Sequence, residues 1–156
     1  MTSTTSSSNR AHALLYPDPA RTASAGLLLV RLAAGFVLAP HGIAKLSGGV
    51  NMLATGLASR GLPAPGLLAW CATLAESVGA IFVALGLLTR PAAAAAGFTM
   101  VVAWSTMHLA DAANIGGPKG PAFEYPFLLS VLFLAIAIAG PGRYSLDAKL
   151  FGRPRR

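Results

Sequence analysis

Four apolar runs, each about as long as a bilayer is thick, constrain this chain more than any other feature. They lie at roughly Ala23–Leu46, Pro65–Leu88, Ala92–Ala110 and Phe123–Ala139. At 1.5 Å of rise per residue, about 20 helical residues cross roughly 30 Å of hydrocarbon. A lone segment in lipid must satisfy its own backbone, and among open structures only the helix does so. Composition agrees: of 156 residues 54% are hydrophobic and only 11% charged, against roughly 25% charged in a soluble domain. The expected fold is therefore all-α, an integral membrane four-helix bundle in a single domain.

The flanks read differently. Residues 1–22 are rich in Ser and Thr, hold Pro17 and Pro19, and lack apolar periodicity, so they are expected to form a disordered tail. They do not resemble a secretory signal, because no basic cluster precedes the apolar run. The transmembrane domain is placed at residues 23–141 and a basic tail at 142–156. Within the linker Ser47–Ala64, Val50, Leu53 and Leu57 repeat at three- and four-residue spacing, which predicts a short interfacial helix. Thr89-Arg90-Pro91 marks a tight turn that makes the second and third runs an antiparallel hairpin. The Asp111–Ala122 loop, with Gly116-Gly117-Pro118 and Gly120-Pro121, is expected to be irregular.

Charge sets orientation. Four spans put both tails and the Arg90 turn on one side, with Arg10, Arg21, Arg90, Arg143, Lys149, Arg153, Arg155 and Arg156. The other side has Lys45, Arg60 and Lys119. Eight basic residues against three place both termini in the cytoplasm. The net charge of +7 thus reads as topology and contact with anionic lipid. Nucleic acid is not an expected partner, since the basic residues are not interleaved with exposed aromatics. Cys71 is the one cysteine. An intrachain disulfide, a CxxC pair and a cysteine-held iron–sulfur cluster are excluded, so any redox role needs a bound cofactor, a substrate or a partner protein.

Function is to be sought in the ionisable residues inside the apolar runs, because each costs about 2.5–3.5 kcal/mol there even on lenient scales. Arg31 interrupts the first run, which ends in Pro40-His41-Gly42-Ile43-Ala44-Lys45; Glu76 sits mid-way along the second; His108 and Asp111 close the third. Counted by depth, Arg31 lies about 12 Å and Glu76 about 18 Å from the same membrane face. That predicts a buried Arg31–Glu76 pair, since either alone would be an uncompensated charge. On the first helix Arg31 and Lys45 differ by about 40° in azimuth and Arg31 and His41 by about 80°, so all three can face the interior. Pro40 removes a backbone donor from the Phe36 carbonyl, which predicts a kink. At the outer level His41, Lys45, His108, Asp111 and Glu124 gather, with Glu76 beneath.

Each of these residues also has a plainer reading. Lys45 can snorkel to headgroups, and His41 can be a satisfied interfacial histidine. His108 and Asp111 can be a local i, i+3 pair, and Arg31–Glu76 can be structural glue. Arg90 reads as a topology anchor, Cys71 as a core residue, and Trp70, Phe98 and Trp104 as packing or belt residues.

The order Arg31-Leu-Ala-Ala-Gly35, His41-Gly42-x-x-Lys45-Leu46, Gly61-Leu62-Pro63, Glu76-x-x-Gly79, Leu85-Gly86-Leu87-Leu88-Thr89-Arg90 and His108 resembles the DoxX family of small bacterial membrane proteins over about residues 24–140. The resemblance implies a four-helix bundle in the bacterial inner membrane, crossed several times. It also implies the family's usual label, an oxidoreductase or a subunit linked to quinol or thiosulfate:quinone oxidation. Relatives of similar architecture with redox cysteine pairs are not matched, since Cys71 is alone.

Two functions of different class are expected to compete. In the first, the chain is a quinone-linked oxidoreductase subunit. His41 or His108 would bond a quinone oxygen and move its proton, Lys45 would stabilise negative charge, and Glu76, kept ionised by Arg31, would relay a proton. His41, Lys45, Glu76 and His108 are then the catalytic set, and Arg31, His41, His108 and Asp111 hold the cofactor. Electrons leave through a partner protein. Bis-histidine haem ligation by His41 and His108 is permitted but nothing demands it. In the second, the chain is a non-enzymatic scaffold, or a carrier of a small molecule or lipid, with Gly35, Ala39, Gly79 and Gly86 allowing close packing and homo-oligomers.

Overall fold

The computed structural model describes residues 18–152. Most of the expected N-terminal tail, residues 1–17, and the last four residues of the basic tail lie outside the described residues. Among the described residues all regular structure is helical. Helix α1 spans Pro19–Ala44 and starts four residues before the expected Ala23. Asp18-Pro19 supplies the start signal: Pro19 sits in the first turn and the Asp18 carboxylate accepts from Ala20 N at 3.0 Å, satisfying one of the helix's free donors. The helix continues through Pro40, and the chain leaves helical backbone only at Gly48, where φ is 135°. Helix α2 (Val50–Ala58) follows as the short helix expected in the linker. It buries Val50 and Leu57 against Ala69, with Leu53 and Met107 alongside.

Helix α3 (Pro65–Leu74) runs through a wide turn, Ala75–Gly79, into α4 (Ala80–Leu85). Helix α5 is Thr89–Met107 and α6 is Gly120–Ala139; a 3₁₀ segment, Leu109–Asn114, occupies the loop between them. A last short helix, α7, is Leu146–Leu150. Pro19–Ala58, Pro65–Leu85 and Gly120–Ala139 are long and apolar enough to cross a membrane. Helix α5 has the length, but Arg90 and Pro91 at one end and Trp104-Ser105-Thr106 at the other dilute its apolarity.

The core is built of small and branched side chains: Ala34 and Leu38 of α1, Ala80 and Val83 of α4, Ala93 and Ala96 of α5, Phe133 and Ile136 of α6. Large apolar residues instead face outward; Phe36 is 80% exposed and Ile138 79%, which suits lipid and not water. Cys71 is exposed too, which corrects its reading as a core residue. Ala69 and Thr73 take the inward positions on that helix, and position 71 falls between them on the outer face.

Two glycines set the register of α1 against the α3–α4 rod. A β-carbon on Gly35 would lie 2.6 Å from the Ala80 carbonyl oxygen, and one on Gly42 would overlap the Glu76–Ser77 backbone. Gly42 therefore stands directly over Glu76. At the other end the C-terminal segment is fastened across the turn between α4 and α5. Asp147 N donates to the Gly86 carbonyl at 2.8 Å, and the Asp147 carboxylate accepts from Leu88 N, Thr89 N and the Thr89 hydroxyl at 2.8–2.9 Å. Those contacts cap α5, whose first turn has no cap of its own.

Candidate functional site

The Gly42 contact decides which cation meets Glu76. One turn after Gly42, Lys45 places Nζ 2.5 Å from Glu76 Oε2. The Glu76 side chain is 4% exposed and that of Lys45 28%, so a buried carboxylate is neutralised by a cation that keeps contact with the surface. Both partners sit in wide turns. Val50 N bonds the Lys45 carbonyl and Ala80 N bonds the Ala75 carbonyl, i→i−5 patterns that insert one extra residue and recur at functional positions.

Arg31 is not in this cluster, which corrects the expected Arg31–Glu76 pair. Depth counted from helix ends assumes that the ends are flush, but the glycine contacts hold α1 displaced along the rod. Arg31 therefore comes level with Gly86, ten residues from Glu76 on that rod and about 15 Å away along it. There it is 1% exposed and donates from Nη2 to the Tyr144 carbonyl at 2.5 Å. Nε and Nη1 have no hydrogen-bond partner among the described residues. Asp147 supplies a compensating negative charge. Burial pushes its carboxyl up, but hydrogen bonds from Thr89 and Leu88 and the positive Arg31 outweigh this and hold it below its ordinary value.

Around the ion pair the structure gathers the two histidines. His41, on α1, is exposed, and its ring centroid lies 5.1 Å from that of Tyr125 on α6. The Tyr125 hydroxyl donates to the Val37 carbonyl at 3.3 Å, which ties α6 to α1 beside Pro40. His108 ends α5, with φ −125° and ψ 10°. Its Nδ1 lies 3.4 Å from Asp111 Oδ2. With a proton on Nδ1 directed at Asp111, the neutral ring presents Nε2 as an acceptor.

His41, Lys45, Glu76, His108 and Tyr125 line one open cavity of about 560 Å³, with Leu38 and Met100 among its apolar walls. That is within the range of about 300–1,000 Å³ typical of small-molecule sites. Asp111 orients His108 from behind. Glu124, expected in the same layer, turns to the loop and accepts from Gly116 N at 2.8 Å. Trp104 acts in packing, edge-on to Phe123 and Phe127 at 5.8 and 5.7 Å.

Sequence reasoning missed Tyr125 and Asp147. Tyr125 carried a faint signal, a polar-tipped aromatic in the first turns of an apolar run. Asp147 carried a clearer one: it is the one acidic residue in the basic C-terminal stretch and lies two residues after Ser145, whose hydroxyl caps α7 by accepting from Ala148 N at 3.1 Å.

Comparison with known proteins gives a consistent picture. The family model for DoxX matches residues 26–109, which includes Arg31, His41, Lys45, Glu76 and His108. An uncharacterized protein of Haemophilus influenzae is 31% identical over 125 residues, covering 80% of this chain and 90% of that protein. Inner membrane protein YphA of Escherichia coli is 34% identical over 125 residues, covering 79% of this chain and 89% of that protein. No solved structure matches significantly.

Proposed function

The chain belongs to the DoxX family and is a multi-pass inner membrane protein, and on that premise we propose that its cavity binds the head group of a membrane quinol and hands the quinol's electrons to a partner protein. In this reading α5 is a fourth span beside the three apolar stretches, both termini are cytoplasmic, and the cavity opens toward the opposite face. The observation that carries it is the convergence of two imidazoles and a Lys45–Glu76 pair on one apolar-walled cavity. A quinol ring needs apolar walls, one hydrogen-bonding group at each oxygen, and a route for two protons.

The roles follow from the geometry. His108, held by Asp111, accepts one quinol O–H proton on Nε2, and His41 accepts the other. Two electrons pass to an electron acceptor carried by the partner protein, and the quinol leaves as quinone. Both protons then reach solvent from the imidazoliums, by way of the exposed His41 side of the cavity. Lys45 pairs with the Glu76 carboxylate at 2.5 Å, the place first given to Arg31. Tyr125 steadies the His41 ring.

The test is titration of the nanodisc-reconstituted protein with a short-chain quinone, followed by tryptophan quenching. Saturable binding is expected, weakened at least tenfold in His41→Ala and in His108→Ala and unchanged in Cys71→Ser. Equal binding by the His41→Ala/His108→Ala double variant would sink the assignment. Binding that persists without quinol oxidation in native membranes would favour the carrier reading instead.

A further inference from the structure

A second, wholly apolar groove of about 420 Å³ lies between α1 and α6, at the Arg31 end of the molecule and away from the histidine cavity. Ala23, Gly26, Leu27 and Val30 form one wall, and Leu132, Ala135, Ile136 and Ala139 the other. The missing side chain of Gly26 is part of what hollows it: a β-carbon there would meet nothing within 4 Å. The seven residue steps from Ala23 to Val30 make the groove about 10 Å long, parallel to α1.

One end of this groove is basic. The chain leaves α6 at Gly140, whose β-carbon position is 3.1 Å from Arg90 Nε and 3.2 Å from Arg90 Nη2. Two residues on, the β-carbon position of Gly142 is 3.1 Å from Leu27, a groove residue, and the next residue is the exposed Arg143. Arg90 therefore stands at the mouth of a slot that runs along the helices toward the middle of the apolar stretch, and Arg143 follows directly after the Gly142 contact with Leu27. An apolar slot with guanidiniums at its end has the chemistry of one acyl chain joined to a phosphodiester. We propose that the α1–α6 groove is a specific site for an anionic phospholipid, with one acyl chain against Gly26 and Ala135 and the phosphate on Arg90 and Arg143. A second copy of the chain would also cover apolar surface, but it would bring its own Arg90 and Arg143 to the same level and set like charges together.

Native mass spectrometry of the full-length, delipidated protein tests this, with phosphatidylglycerol and phosphatidylethanolamine of identical chains as probes. One phosphatidylglycerol is expected to bind at least fivefold tighter than phosphatidylethanolamine. Gly26→Leu, whose β-carbon meets open space, puts a branched side chain into the slot and should weaken both at least tenfold. Arg90→Gln/Arg143→Gln should reduce phosphatidylglycerol to the level of phosphatidylethanolamine while leaving that level intact. Should Gly26→Leu fail to fold by circular dichroism, Ala135→Leu blocks the facing wall and carries the same expectation. Equal affinity for the two lipids in the unaltered protein overturns the proposal. So does undiminished binding in both filled variants, displacement of the lipid by glycerol phosphate alone, or a dimer that these variants dissolve without loss of lipid.

Discussion

The two ends of the molecule both bury an ionisable residue, and they resolve it in opposite ways. At one end Arg31 is met by the chain itself: the Tyr144 carbonyl, the Asp147 charge and a covering segment pinned to Gly86, Leu88 and Thr89. At the other end Glu76 is met by a single flexible lysine beside a cavity into which two histidines open. Around Arg31 the chain is closed and reads as structure, and the apolar α1–α6 groove has its walls elsewhere. The second leaves imidazole nitrogens facing space that something else can fill. A buried charge alone does not mark a working site; what surrounds it decides.

The comparison can be broken most sharply at the ion pair. Lys45→Met strands the Glu76 carboxylate and is expected to lower unfolding stability in micelles by about 3 kcal/mol, whereas Lys45→Met/Glu76→Gln should recover most of that loss. A double variant no better than the single one would mean that Lys45 is a surface residue which merely touches Glu76.

The closed end should give a somewhat smaller effect. Asp147→Ala removes the cap on α5 and the charge opposite Arg31, and is expected to cost about 2 kcal/mol in the same assay. It should also expose the 143–152 segment to protease. Asp147 has a lowered pKa in the folded state, so its contribution is complete above the ordinary carboxylate value and is lost as pH falls through the lower folded one. The protein should therefore loosen at this end from about pH 4 downward, and Asp147→Asn should abolish that dependence. Removal of the segment that holds Asp147 would likewise uncap α5 and leave Arg31 without its charge partner.

The smallest effect sharpens the contrast. His41 is exposed and accepts no structural burden beyond its contact with Tyr125. His41→Gln should change stability by no more than about 0.5 kcal/mol, while quinone quenching falls. A large destabilisation would instead make His41 a packing residue and move it to the structural side of the comparison.

Much of this was legible in the chain. The apolar runs gave the helices to within a few residues, and the spacing of Val50, Leu53 and Leu57 gave α2. Azimuth and depth brought His41, Lys45 and His108 to one outer layer with Asp111 and Glu124, and Glu76 beneath it; His41, Lys45, Glu76 and His108 line one cavity, while Asp111 and Glu124 do not. The pairing was not legible, because depth counted along isolated helices contains no information about how far one slides past another. That offset is set by Gly35 and Gly42 fitting against particular backbone atoms, a contact between positions some 35–45 apart in sequence. The clamp by Asp147 was hidden for the same reason, since it links the C-terminal segment to the Gly86–Thr89 turn across nearly 60 residues.

The wide turn at Ala75–Gly79 separates being made from being functional. Deleting one residue there would turn the α3–α4 rod into an ordinary helix of nearly the same length and greasiness. The machinery that threads nascent chains into a bilayer would have no reason to reject it. Yet the faces on either side would keep their headings, and only the widened backbone at Glu76–Ser77 that seats Gly42 and presents Glu76 to Lys45 would be withdrawn. Such a variant would reach its membrane in normal amounts and be silent there, a class of defect visible in a functional assay but not in a measurement of abundance.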